Sequence, residues 1–323
     1  MMKMTKRVLA ACLLGSVGAM APLAAGAAFP GQPITLVVPF PPGGGNDQIG
    51  RLLSEGLAQE LKVPVVVENR AGAGGNIGVT YVARARPDGY TLAVASNQVA
   101  INTSLYSNLG YDLQSLRGVA MVAEVQFLLV ANPATELRSV ADVLDKVKAG
   151  KTLNHGTPGS GTPQHLSAEL FNRQTGISLA HVPYRGSGPA IADVLGGHIE
   201  LAFATLPAVA PHVKSGKFNG IAVTGKARSP LLPDVPTVAE AGVPGYESTT
   251  WYGVLAPAET PDDVVKTLSD ALERVTSSQA FQDRLAELGY ESLYLPAADM
   301  DALMAADEKK WARVINDIGL KIE

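Results

Sequence analysis

Short apolar segments alternate with helical patterns along almost the whole chain, and this alternation is the strongest constraint on its fold. The apolar segments predict β-strands at residues 34–38, 65–68, 91–95, 127–131, 177–182, 200–204, 220–224 and 252–256. Apolar residues on one helical face predict helices at residues 47–61, 163–174, 189–195, 261–276, 280–288 and 298–318. Such alternation is typical of α/β proteins with parallel-rich sheets flanked by helices.

The first residues predict a cleaved leader that is not part of this fold. Three basic residues precede the apolar residues 8–20, and residues 25–27 form a small-residue cleavage pattern ending at Ala27. This order is typical of a secretory signal peptide, so we expect export with cleavage near Ala27. The chain also matches a lipoprotein box ending at Cys12, but the apolar stretch before Cys12 is too short for that interpretation.

The mature chain expected after this cleavage is acidic and has no cysteine. Three of the 26 Lys and Arg residues and the only cysteine fall in the leader, which leaves 23 basic against 30 acidic residues. No basic cluster is present, so nucleic acid is not expected as a partner. Without cysteine, disulfides, thiolate metal sites and cysteine nucleophiles are excluded.

Length and two irregular segments predict a division into two lobes. A chain of 323 residues is long enough for two sizeable cores. Residues 127–133 form an apolar run that ends in Asn-Pro, and residues 229–245 are rich in Pro and Gly. The predicted units are a signal peptide at residues 1–27, lobe 1 at residues 29–127 plus 250–323, and lobe 2 at residues 128–249.

Four glycine-rich loops are each expected at the carboxyl end of a strand and before the start of a helix. They are the first loop (residues 39–47), the second loop (residues 68–78), the third loop (residues 155–162) and the fourth loop (residues 184–189). Bare backbone N–H groups and the positive end of a helix dipole favour an anion at each loop. Open α/β sheets bind ligands at this edge of the sheet, so the loops predict a cleft with two loops from each lobe.

Nucleotide motifs do not fit these loops. Gly72 and Gly74 have the dinucleotide spacing, but Ile77 stands where the third glycine is required. Residues 220–226 match a P-loop pattern, but Ala227 replaces the hydroxyl that binds Mg²⁺. We therefore expect no nucleotide and no other cofactor.

Catalytic motifs are also weak. Ser160 is not in a G-x-S-x-G elbow, and the five histidines are scattered along the sequence without a metal-binding spacing. A hydrolase that uses Ser160 and His165 stays an alternative, because His165 faces the third loop from the first turns of its helix. Asp47 has no evident acid or base partner, so we interpret it as a helix cap or a complement to the helix dipole.

Aromatic residues next to the loops are candidates for pocket walls. Phe40 lies in the first loop and Tyr184 in the fourth. Phe203, Trp251 and Tyr252 are expected to pack in the core.

The order of the motifs resembles the Bug-type, or TctC-like, extracytoplasmic solute receptors of tripartite tricarboxylate transporters, over nearly all of the mature chain. The motifs are at residues 38–40 (VPF), 43–47 (GGGND), 67–70 (VENR), 72–78 (GAGGNIG), 158–161 (PGSG), 165–166 (HL), 182–186 (VPYRG), 189–190 (PA), 232–237 (LPDVPT) and 240–242 (EAG). The resemblance implies a two-lobe α/β periplasmic-binding-protein fold of type II, with the ligand cleft between the lobes.

The resemblance also implies site residues. In this family a ligand carboxylate is held by the first loop through backbone amides and bridging water, without an obligatory arginine. The residues this implies, together with the two aromatic walls, are Phe40, Gly43, Gly44, Gly45, Asp47, Gly75, Asn76, Ser96, Asn97, Ser160, Thr162, His165, Tyr184, Arg185, Gly186 and Ser187. One departure is Asn46, where the family often has Thr or Ser.

The function implied is capture of a small carboxylate without turnover. We expect a monomeric periplasmic receptor that delivers a di- or tricarboxylate, or an aromatic acid, to membrane transporter subunits. A sensor that presents the ligand to a two-component signalling system is an alternative with the same fold.

Overall fold

The computed structural model describes residues 29–322. The predicted signal peptide and Cys12 lie outside these residues. Within them, no helix combines the length and the apolar character needed to cross a membrane.

Ten strands form one connected sheet in the described chain. They are β1 (Ile34–Val38), β2 (Val65–Asn69), β3 (Thr91–Ser96), β4 (Leu116–Ala131), β5 (Asn154–Thr157), β6 (Ala180–Pro183), β7 (Leu201–Thr205), β8 (Asn219–Val223), β9 (Thr249–Pro257) and β10 (Glu291–Pro296). The strand order is β2-β1-β3-β9-β4-β7-β5-β6, and β8 and β10 also pair with β4. β1 is parallel to β2 and β3, and β5 is parallel to β6 and β7, whereas β4 has only antiparallel partners.

The long strand β4 joins two groups of strands. Residues 116–126 pair with β9, and residues 127–131 pair with β7 and β8. Only the second part was predicted, because Gly118 and Glu124 interrupt the apolar run of the first part. The lobe boundaries proposed from the sequence stay a prediction. The boundary predicted between residues 127 and 128 falls within β4.

Within residues 29–322, ten α-helices cover the sheet. They are α1 (Gly45–Leu61), α2 (Asn76–Ala83), α3 (Gln98–Leu105), α4 (Val140–Lys148), α5 (Pro163–Thr175), α6 (Ser187–Leu195), α7 (Leu206–Lys214), α8 (Asp262–Ser277), α9 (Gln279–Glu287) and α10 (Ala297–Ile318). The six predicted helices are present. The sequence analysis gave no range for α2, α3, α4 or α7, which are eight or nine residues long.

The described residues form two large hydrophobic cores. Ile49, Leu53 and Leu57 of α1 are fully buried against β1 and α8, and Leu61 is partly buried against the same core. In the other core, Phe171 of α5 and Phe203 of β7 pack with Trp311 near the end of α10. The C-terminal helix therefore contributes to the core of the segment predicted as lobe 2, although it was predicted within lobe 1.

Candidate ligand-binding site

The three glycines of the first loop differ in whether a side chain could be accommodated in their place. Gly43 has φ +91°, a conformation that favours glycine. Gly44 has φ −79° and is exposed at the start of α1. A Cβ at Gly45 would lie 2.9 Å from the hydroxyl oxygen of Tyr290 and would also meet that of Tyr252. Only Gly44 could carry a side chain without strain or collision.

Asp47 holds the first loop in place. Its buried carboxylate accepts hydrogen bonds from the Gly43 N–H at 2.9 Å and from Asn69 Nδ2 at 2.9 Å. Arg51 donates to both carboxylate oxygens at 2.9 and 3.0 Å. The hydrogen bond from Arg51 is the main cause that lowers the pKa of Asp47 to about 2. The Asp47 side chain is thus engaged within the protein, and its contribution to the site is the shape of the loop.

Asn46, the departure from the family pattern, points away from the loop. Its side chain is buried and Nδ2 donates to the Val94 carbonyl of β3 at 2.9 Å. The substitution therefore leaves the backbone of the first loop unaffected.

The second loop packs against the first. A Cβ at Gly75 would lie 3.1 Å from the Phe40 ring, so the glycine lets the half-buried ring cover the loop. Asn69 Nδ2 also donates to the Phe40 carbonyl at 3.1 Å. Asn76 begins α2 and is buried, with Oδ1 accepting from Asn102 Nδ2 at 2.6 Å. These contacts bring the predicted residues of both loops together.

Ser96 and Asn97 lie at the end of β3 beside these loops. Both are buried, and Asn97 Nδ2 donates to the Thr249 carbonyl at 2.9 Å. A cavity of about 10 Å³, the size of one water molecule, is bounded by Ser96 together with residues of the first and second loops and of α3. Two of its lining residues, Gln98 and Asn102, were missed by the sequence analysis, which assigned no helix to residues 98–105.

The third loop is shorter than predicted, because residues 154–157 form β5. Thr162 caps α5: its hydroxyl accepts from the His165 N–H at 3.4 Å and donates to the Gly159 carbonyl at 2.8 Å. Ser160 is exposed. Among residues 29–322 there is no hydrogen bond between Ser160 and His165, so no nucleophile–base pair is formed there.

Three of the five histidines form one stack, although they are far apart in the sequence. His165 stacks on His181 with ring centroids 3.8 Å apart, and His181 on His155 at 5.1 Å. The cause is strand register, since His155 and His181 are paired on the parallel strands β5 and β6. His165 Nδ1 accepts from the Gly161 N–H at 3.1 Å, so the ring supports the third loop.

Burial of the stack shifts its proton affinity. It lowers the pKa of His155 to about 3 and that of His181 to about 4, with neighbouring histidines adding to both shifts. Both rings are therefore neutral at physiological pH. No group of three or more His, Asp or Glu side chains in the described part of the chain is arranged to hold a metal ion.

The fourth loop contacts the third. The Gly186 N–H donates to the Pro158 carbonyl at 3.1 Å, and Ser187 begins α6. Tyr184 turns toward α6, where its hydroxyl donates to Asp193 at 2.6 Å, and burial raises the pKa of Tyr184 to about 12. Arg185 is exposed and forms no ion pair with any residue in the range 29–322.

The two pairs of loops meet beside α3. Gln98 Nε2, at the start of α3, lies 3.5 Å from the Gly161 carbonyl oxygen of the third loop. A Cβ at Gly161 would meet Leu105 at the end of the same helix, so glycine is required for this approach.

A larger hollow, of about 370 Å³, lies between residues 229–231 and 282–292. Among its described lining residues, only Tyr290 also lies next to the first loop.

Comparisons with known proteins show the family to which this chain belongs. Residues 49–320 match the family described as the tripartite tricarboxylate transporter family receptor. Protein BugT from Bordetella pertussis (strain Tohama I) is 35% identical over 314 residues, which cover 96% of each chain.

Two solved structures are similar over most of the chain. R. palustris Rpa4515 with adipate is 34% identical with a TM-score of 0.79, over 91% of this chain and 100% of that one. MatC (Rpa3494) from Rhodopseudomonas palustris with bound malate is 30% identical with a TM-score of 0.75, over 89% of this chain and 100% of that one. This protein thus belongs to the tripartite tricarboxylate transporter receptor family and has the α/β fold of the periplasmic binding proteins.

Proposed function

We propose that this protein is a periplasmic receptor that captures a small di- or tricarboxylate between its four glycine loops and delivers it to a tripartite tricarboxylate-type transporter. The observation that carries the proposal is the first loop. Asp47 holds the loop from behind, while the N–H groups of Gly44 and Gly45, at the start of α1, have no acceptor within the helix. A carboxylate supplies the acceptors these groups lack, and the helix dipole favours its charge.

Arg185 supports a second carboxylate on the ligand. It is exposed on the fourth loop and has no ion-pair partner among the described residues. The ligands named for the two relatives, adipate and malate, are both dicarboxylates. An aromatic acid is the second candidate, because the Phe40 ring covers the second loop and offers an apolar wall.

The proposed role is binding and release without chemistry. Ser160 is exposed and is not bonded to His165 among the described residues, and His165 Nδ1 already accepts from the Gly161 backbone. Closure of the loops around the ligand would shift an equilibrium between open and closed forms by differential affinity. We propose that the receptor is exported after cleavage near Ala27 and works as a monomer.

Thermal unfolding of the mature chain tests the proposal. Mono-, di- and tricarboxylates, neutral sugars and organic cations are added in parallel, and a ligand that binds only the folded state raises the melting temperature. We expect the largest increase with a dicarboxylate. An increase with a sugar or a cation and with no carboxylate would exclude the proposed function. Uptake of the identified acid by cells lacking the receptor gene tests delivery to the transporter.

A further inference from the structure

Three amide side chains form a line of hydrogen bonds behind the second loop. Gln98 Nε2 donates to Asn102 Oδ1 at 2.5 Å, and Asn102 Nδ2 donates to Asn76 Oδ1 at 2.6 Å. Asn102 Nδ2 also donates to the Gly74 carbonyl oxygen at 3.0 Å. We call Gln98, Asn102 and Asn76 the amide line.

The Gly74 carbonyl fixes the direction of the amide line. A carbonyl oxygen only accepts hydrogen bonds, so Asn102 must turn Nδ2 toward Gly74 and Oδ1 toward Gln98. Gln98 must then present its Nε2, and Asn76 must present its Oδ1 to Asn102. The Nδ2 of Asn76 is left on the far side of its amide group.

This remaining donor is buried and has no acceptor. Asn76 is 4% exposed, and its Nδ2 has no hydrogen-bond partner among residues 29–322. The neighbours of Asn76 in the sequence and in the amide line, Gly75 and Asn102, bound the small cavity at the second loop. A buried N–H group without an acceptor is unfavourable, so a carboxylate oxygen that reached the Asn76 Nδ2 would be stabilised by it.

Gln98 connects the amide line to the other pair of loops. Its Nε2 lies 3.5 Å from the Gly161 carbonyl oxygen, a long contact that a small approach of the third loop would shorten. Gln98, which donates to Asn102, is therefore also the residue that meets the third loop.

We propose that Gln98 and Asn102 are positioning residues that hold Asn76 with its Nδ2 toward a ligand carboxylate, and that Gln98 links this donor to the third loop. The inference rests on the proposed function and deepens it, because a hydrogen bond from Asn76 to a charged carboxylate oxygen is stronger than one to the carbonyl oxygen of the corresponding primary amide. Selectivity between an acid and its amide is thus the property that the amide line controls.

Two neutral substitutions and a matched control test this inference. Asn102→Leu removes the group that orients Asn76, and Gln98→Met removes the donor to Asn102 and Gly161 at nearly constant shape. Asn172→Leu is the control: Asn172 is a buried amide on α5 that accepts from the Leu179 N–H at 3.1 Å, outside the amide line. Affinities are measured by calorimetric titration with succinate, malate and adipate, each paired with its diamide.

For Asn102→Leu we expect the affinity for the preferred diacid to fall about 10- to 100-fold, with a much smaller change for the diamide. For Gln98→Met we expect a reduction of the acid-to-amide ratio of about 3- to 10-fold. The ratio should not change in Asn172→Leu.

Equal losses for acid and amide, or an unchanged ratio in Gln98→Met, would overturn the inference while the proposed function stands. If Asn102→Leu does not fold, the ratio in Gln98→Met decides. If the unmodified protein binds none of the three acids, the inference falls together with the proposed function.

Discussion

The loops after β1 and β2 differ from those after β5 and β6 in what their side chains do. In the first and second loops Asp47 and Asn76 are buried, and each is hydrogen-bonded to another side chain, Asp47 to Asn69 and Asn76 to Asn102. In the third and fourth loops, Ser160 and Arg185 stay exposed above a stack of buried histidines. One side of the cleft is thus held rigidly by its own side chains, and the other offers side chains to solvent.

We infer from this difference that the two pairs of loops have different roles in ligand recognition. A rigid loop with bare N–H groups recognises a carboxylate at low entropic cost, whatever scaffold carries it. Exposed side chains on the opposite loops can then distinguish one scaffold from another. The predictions below test whether the two pairs of loops differ in this way.

The largest expected effect is at the first loop, where adjacent glycines should respond differently. Gly44→Val is expected to reduce dicarboxylate affinity at least about 100-fold, because its side chain would stand over the bare N–H groups at the start of α1. The melting temperature should change little, since φ −79° suits any residue. Gly45→Val should lose both binding and stability, because its side chain meets Tyr252 and Tyr290. Calorimetry and thermal unfolding of both variants separate these outcomes, and equal stability losses would contradict the assignment.

The next effect concerns the opposite side of the cleft. Arg185→Gln is expected to reduce affinity for adipate about 10-fold, while affinity for hexanoate stays within about 2-fold, because only the diacid has a second charge to lose. The fold should be unaffected, since Arg185 is exposed. An equal reduction in affinity for both acids would show that Arg185 does not bind a second carboxylate.

Asp47→Asn tests whether the first loop is held from behind. The ion pair and the hydrogen bonds to Asp47 lower its pKa to about 2, so the stabilisation is full above the usual value of 3.8 and is lost as the pH falls toward 2. We expect the free energy of unfolding to fall by about 1–2 kcal/mol at pH 7, a figure reduced because Arg51 is more than half exposed. Urea unfolding should show the two proteins converging near pH 2, and a constant difference at all pH values would contradict this.

The smallest effect at neutral pH concerns the histidine stack. The pKa values of His155 and His181, about 3 and about 4, lie below the usual 6.5, so their stabilisation is full above pH 6.5 and is lost progressively below it. His155→Leu removes one titrating ring whose nitrogens have no protein partner among the described residues. We expect the free energy of unfolding of this variant to lie within about 1 kcal/mol of that of the unmodified protein at pH 7. Near pH 5 we expect it to exceed that of the unmodified protein by about 2 kcal/mol. Parallel pH profiles would exclude this role.

The sequence predicted the sheet and helices well where the pattern was long and apolar. The isoleucine and leucines of α1 identified a buried helical face, and β1 was predicted to the residue. β5 was missed because Asn154–Thr157 is polar, although three of its four residues are buried. Its burial comes from pairing with β6 and β7, which no local pattern reports.

The candidate site was predictable only in its backbone. Glycine spacing located the loops, but not the bonds from Asp47 to Asn69 or the stack of His155, His165 and His181, because these depend on strand register and on residues far apart in sequence. Asn102 gave no signal of its own. Its spacing of four from Gln98 is the one feature that could have paired them, had the helix been predicted.

The central claim, that the loops form a clamp for a carboxylate that is released unchanged, is tested most directly by one calorimetric titration. The mature chain is titrated with adipate and, in parallel, with the neutral 1,6-hexanediol, and the acid is then recovered from the complex. We expect one saturable site for the acid, no binding of the diol, and complete recovery of unaltered adipate. Equal binding of acid and diol, or conversion of the acid during incubation, would contradict it.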